Sequence, residues 1–103
     1  MAAQPSTIEF YERHPLVEFV VGTRRFVPKI SINLQVDYNE GLWIVSLPFV
    51  DAVGTSIDYC EAKLMLFDYI DVLWSEYVLC PVEELGETGR MLRDLLQEMF
   101  KVC

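Results

Sequence analysis

Between residues 30 and 38 the apolar side chains Ile30, Ile32, Leu34, Val36 and Tyr38 alternate with Ser31, Asn33, Gln35 and Asp37. A period of two is the pattern of a half-buried strand, with one face turned to a core and the other to water. Asn39, Glu40 and Gly41 supply turn chemistry, and residues 42–49, LWIVSLPF, return as a second and more apolar strand. Pro48 ends that strand because proline has no N–H to give to a ladder. A short further strand is expected over residues 50–53, with Gly54 turning the chain. Upstream, residues 16–21 and 24–27 are rich in β-branched and aromatic side chains, and Gly22-Thr23 between them reads as the two-residue loop of a hairpin ended by Pro28. Residues 1–15, with Pro5 and Pro15 around the mixed segment IEFYERH, read as an N-terminal arm.

From residue 55 the pattern changes. Thr55 with Asp58 three residues later has the form of a capping box, and neither glycine nor proline occurs again before Pro81, so a long helix is expected. Its polar positions Glu61, Asp68, Asp71 and Ser75 fall on a narrow stripe. Cys60, Leu64, Phe67, Ile70, Leu73, Trp74 and Tyr77 spread over an apolar surface too broad for one sheet face to cover. Pro81 and the acids Glu83, Glu84 and Glu87 mark a new helix start, where negative charge suits the dipole. Leu92, Leu95, Leu96, Met99 and Cys103 recur at helical spacing, which predicts a second helix from about residue 88, packed on the first.

A chain of 103 residues, 52% of them hydrophobic, has room for one domain and one core. The fold class expected is α+β: an antiparallel sheet of four to five strands, a long helix packed on it and a second C-terminal helix. The arm spans 1–15, the strand-rich half 16–54 and the helical half 55–103. No apolar run reaches bilayer length and the first residues lack the form of a signal peptide, so a cytoplasmic protein without a membrane role is expected. Three widely spaced cysteines, Cys60, Cys80 and Cys103, fit free thiols better than a disulfide framework, the alternative being an intermolecular bridge through Cys103.

Charge is unevenly placed. Residues 1–50 hold five acids and four bases, whereas residues 51–103 hold eleven acids and four bases, within a net charge of −8. Such a surface repels phosphate, which argues against direct nucleic-acid binding, and attracts a basic protein. The bland alternative is ordinary solubility.

Candidate chemistry is sparse. His14 is the single histidine, so the Ser/His/Asp and Cys/His arrangements would all have to use it, and a solvated or incidentally packed imidazole is the expectation. Asp37 with Glu40, Asp51 and Asp58 could serve a divalent metal, although solvated carboxylates fit their strand and turn positions better. The glycines have turn or cap explanations rather than the spacing of a phosphate cradle, and Arg24-Arg25 is too small a basic cluster for a nucleic-acid footprint. No catalytic, cofactor-binding or metal-binding residue is therefore assigned. Trp43, Tyr69, Trp74 and Tyr77 are read as core residues or interface anchors, and Asp68, Asp71, Trp74 and Tyr77 as the candidate partner-binding set.

The order strand, tight turn, strand ending in proline, short strand with glycine and long acidic helix, over residues 30–78, resembles the HicB-like antitoxin family. The segments that carry the resemblance are VDYNEGLWIVSLPFVD and VGTSIDYCEAKLMLFDYI. The resemblance implies a partial ribonuclease-H-like fold without the nuclease's catalytic set, often dimeric or higher, that silences a small basic RNA-cleaving toxin. The DNA-binding module carried by many members has no counterpart after the second helix. The function expected is thus a non-enzymatic, antitoxin-like binding module that forms homo-oligomers and sequesters a basic protein through its acidic helical half. Two alternatives are an acidic nucleic-acid mimic that inhibits another protein, and a metal-dependent nuclease built on Asp37.

Overall fold

The structure is a computed structural model and describes residues 10–103. The alternation produces strand β4 from Asn33 onward, while Ile30, which is exposed, precedes it outside the strand, and the wet and dry faces of β4 organise the larger of two antiparallel sheets. The strands are β1 (Phe10–Pro15), β2 (Phe19–Val21), β3 (Arg24–Pro28), β4 (Asn33–Asn39), β5 (Leu42–Leu47), β6 (Ala52–Ser56) and β7 (Phe100–Val102). One sheet has the order β1-β4-β5-β6 and the other β2-β3-β7. Helix α1 is α-helical over Tyr59–Leu73 and continues as a π-helical segment, Trp74–Val78, while α2 spans Glu87–Met99. The α+β class holds, with the strands divided between two sheets.

Both hairpins form where turn residues place them. Glu40 and Gly41 take left-handed backbone angles, φ 53° and 79°, which is the two-residue turn whose twist suits a hairpin. The register sets Val36 opposite Val45 and Tyr38 opposite Trp43. Gly22, at φ 62°, turns β2 into β3.

Four expectations are corrected. Residues 10–15 of the expected arm are strand β1, paired with β4 from Phe10↔Tyr38 to Pro15↔Asn33; residues 1–9 lie outside the described residues. Gly54 does not turn the chain but lies inside β6, opposite Val45. The α1 N-cap is Asp58, whose carboxylate accepts from the Cys60 N–H at 3.0 Å, and Thr55 belongs to the strand before it. The second helix stops at Met99, and Phe100 leaves it with extended angles to begin β7, so Cys103 is not on a helical face. In each case a tertiary pairing overrides a local pattern.

Helix α1 lies across β5 and β6. Its Ala62, Leu66 and Ile70 join Leu34, Val36, Val45, Leu47 and Ala52 of the larger sheet in the core. The smaller sheet closes the core's other end with an aromatic cluster. Phe19 stacks on Phe26 and Phe67 at 4.9 and 4.1 Å between centroids, and Phe100 and Trp74 meet Phe26 edge-on, both at 5.8 Å. Full burial of such a side chain contributes about 2 kcal/mol, and paired rings somewhat more. Arg24 ties the hairpin to α1: its guanidinium donates to the Asp71 carboxylate at 2.8 Å and the Ser75 hydroxyl at 2.7 Å.

Candidate protein-binding surface

A helix that packs one stripe on a sheet normally shows water a polar back. The back of α1 is different. Glu61, Met65, Asp68, Tyr69 and Val72 follow one another at the i, i+4, i+7, i+8, i+11 spacing of a single helical face, and all five are exposed. Leu64 flanks the stripe, and the apolar members Leu64, Met65, Tyr69 and Val72 are between 43% and 58% exposed. Glu76, also exposed, follows in the π-helical segment. The surface is an apolar ridge set among carboxylates, on the side of α1 opposite its buried Ala62, Leu66, Ile70 and Leu73.

The four residues anticipated as partner-binding are not brought together on it. Asp68 lies on the exposed face. Asp71 is in the ion pair with Arg24. Trp74, 8% exposed, packs against Phe26 as a core residue, the first of the two readings open to it, and does not lie on this face. Tyr77 is half-buried and packs against the core, on the side of α2 that carries Gly89. The broad apolar surface did signal that something would be left uncovered. Which residues those are depends on the sheet's position, and so Met65 and Val72 were missed.

A second apolar feature lies along α2. Phe49, from the 3-10 turn Pro48–Val50 after β5, lines an open groove of about 480 Å³ together with Thr88, Met91, Leu92 and Leu95. Asp94 and Glu98 line it as well.

The carboxylates weighed for a metal are dispersed. Asp37 is on the outer face of β4, where the Gln35 amide donates to it at 3.4 Å, and Glu40 is in the hairpin turn. Asp51 follows the 3-10 turn in a left-handed conformation, and Asp58 caps α1. Among the described residues no three His, Cys, Asp or Glu side chains converge as metal ligands would.

His14 has specific partners. It projects from β1 so that Nδ1 lies 3.0 Å from the Tyr59 hydroxyl, at the first turn of α1, while Nε2 meets the Glu12 carboxylate. Burial, and then the nearby Cys60 and Glu12, push the Tyr59 hydroxyl above its ordinary pKa. Trp43 packs edge-on to Tyr59 at 5.3 Å and Tyr38 lies beside Trp43 at 4.7 Å. The imidazole thus fastens an edge strand to the start of the helix, a role the sequence did not show because its partner lies 45 residues away.

Within the described residues no helix is long and apolar enough to cross a membrane. Comparison of the chain with protein-family models, with curated proteins and with solved structures finds no match.

Proposed function

We propose that this protein is a non-enzymatic, antitoxin-like binding module that holds a small basic protein on the exposed face of α1. The observation that carries the reading is the combination on one helical stripe of Met65, Tyr69 and Val72 with Glu61 and Asp68. Apolar side chains of that size anchor protein contacts, and carboxylates among them favour a partner with Lys or Arg at matching positions. Eleven acids against four bases over residues 51–103 extend the same preference beyond the contact, steering encounter. The strand–turn–strand–strand–helix order that resembles HicB-like antitoxins adds a class of partner, a basic RNA-cleaving protein. A cytoplasmic setting suits that role.

Homo-oligomer formation through the apolar helix surface is expected alongside partner binding, but on this face it would set Glu61, Asp68 and Glu76 of two copies close together. Like charges across an interface disfavour it, so the face is assigned to the basic partner. The test is co-expression with the basic protein encoded beside the chain, followed by light scattering and an RNA-cleavage assay. A stable complex in which cleavage is suppressed is expected. The double substitution Met65→Lys/Tyr69→Lys, at two exposed positions, should abolish the complex and leave the circular dichroism spectrum unchanged. A complex unaffected by that substitution, or a chain that binds no basic protein, would remove the reading.

A further inference from the structure

Strand β6 is an edge strand of the larger sheet, and it lacks the devices that usually close such an edge. It pairs with β5 from Ala52↔Leu47 to Ser56↔Trp43, and among the described residues no other strand joins it. Edge strands are normally protected by charged side chains, proline, bulges or short length, because their free N–H and C=O groups would otherwise pair with another chain. The other edges follow that rule. β1 carries Glu12, Arg13 and Pro15, while β2 and β7 are three residues long. Residues 52–57, Ala-Val-Gly-Thr-Ser-Ile, hold no charge and no proline, and Val53 and Ile57 are 42% and 83% exposed. Helix α1 backs the strand closely at Gly54, which fixes the edge in place.

The charges stand just outside this stretch. Asp51 and Asp58 bracket it, both exposed, one after the 3-10 turn and the other at the α1 N-cap. Their placement decides between occupants. An antiparallel pairing of two copies centred on Gly54 would put each Asp51 beside the other copy's Asp58, and a parallel pairing would put like residue against like. Two carboxylate pairs would then repel at the ends of the seam. An extended segment with β-branched residues at its centre and Lys or Arg at both ends meets a carboxylate at each end instead.

We infer that β6 is a docking edge for an extended basic-ended segment of another protein, which adds to the sheet as a fifth strand. Main-chain hydrogen bonds supply the pairing, and Asp51 and Asp58 select the charge of the segment's ends. The inference rests on the reading that the partner is basic, and it concerns a surface separate from the exposed face of α1.

The test uses the full chain and the peptide Lys-Val-Thr-Val-Thr-Val-Lys, with binding followed by calorimetry at physiological salt and by amide hydrogen exchange. Binding is expected to slow exchange within residues 52–57. Asp51→Asn/Asp58→Asn should weaken it about tenfold, as removal of two exposed charge pairs allows, and both substitutions preserve local structure, since asparagine tolerates the left-handed region and caps helices. The same peptide N-methylated at alternate residues should lose binding, because it keeps the charges and loses the donors. Equal binding of the N-methylated peptide would overturn the inference, as would unchanged exchange at residues 52–57. So would a free chain that is already a dimer with those amides protected, since a second copy would then occupy the edge. The peptide assay does not involve Met65 or Tyr69. Failure here with the Met65/Tyr69-dependent complex intact would remove the edge inference alone.

Discussion

A methyl group added at Gly54 would lie 2.0 Å from the carbonyl oxygen of Ala62 and 2.6 Å from the backbone nitrogen of Leu66. No side-chain rotation relieves contacts with backbone, so Gly54→Ala must push α1 off β6 and open the core between them. A loss of about 3 kcal/mol or more is expected, read as a lower midpoint in a urea titration. A glycine before a helix ordinarily suggests a turn, and the sequence could not show that the helix would fold back over this residue. Trp74 makes the complementary case. A large aromatic on a helix is legible as core or interface, and only the approach of Phe26 from the hairpin settles it as core. His14 was legible as a lone imidazole and illegible as a fastener, because Glu12 is near it in sequence but Tyr59 is not.

At the scale of the element, what could be read depended on whether the pattern was local. The β2–β3 and β4–β5 hairpins and the body of both helices follow from alternation, turn residues and helical spacing. Strands β1 and β7 do not, since Glu12, Arg13 and Pro15 in one and a three-residue length in the other leave too little period to detect. The start of α1 shows how a motif can mislead by three residues. Thr55 and Asp58 have capping-box spacing, yet Asp58 itself is the cap and Thr55 faces solvent in β6. Asp58→Ala should therefore cost about 1 kcal/mol, the usual loss for a removed N-cap. Thr55→Ala should stay within about 0.5 kcal/mol, as exposed positions do. The reverse order in thermal melts would restore the capping-box assignment.

The whole molecule depends on its last strand. β7 pairs with β3 through Phe26↔Val102 and Pro28↔Phe100, and backbone bonds between Arg25 and Cys103 at 2.9 and 3.2 Å continue the ladder. Lys29 secures the same junction, donating its N–H to Met99 and its ammonium to the Gln97 carbonyl, both at 2.8 Å, where a cation suits a helix C-terminus. Phe100 is 1% exposed within the aromatic cluster. Deletion of residues 100–103 removes this ring, worth about 3–5 kcal/mol by comparison with large-to-small core changes. Against the usual 5–15 kcal/mol of a small domain, such a chain should lose cooperative unfolding and its near-ultraviolet dichroism. Retention of a sharp transition would show that the larger sheet and α1 fold without the smaller sheet. The charge asymmetry belongs to this scale too, and was the property most directly readable, because a sum over residues needs no fold.

The order of synthesis gives that last strand a further meaning. A ribosome delivers the β2–β3 hairpin before both helices and its third strand only after them, so Phe19 and Phe26 wait for Phe100 while the residues between are made. Pairings so distant in sequence form late and leave apolar surface open in the meantime. For this protein the interval between translation of residue 28 and residue 100 is the period in which a chaperone can keep the unfinished core from other nascent chains.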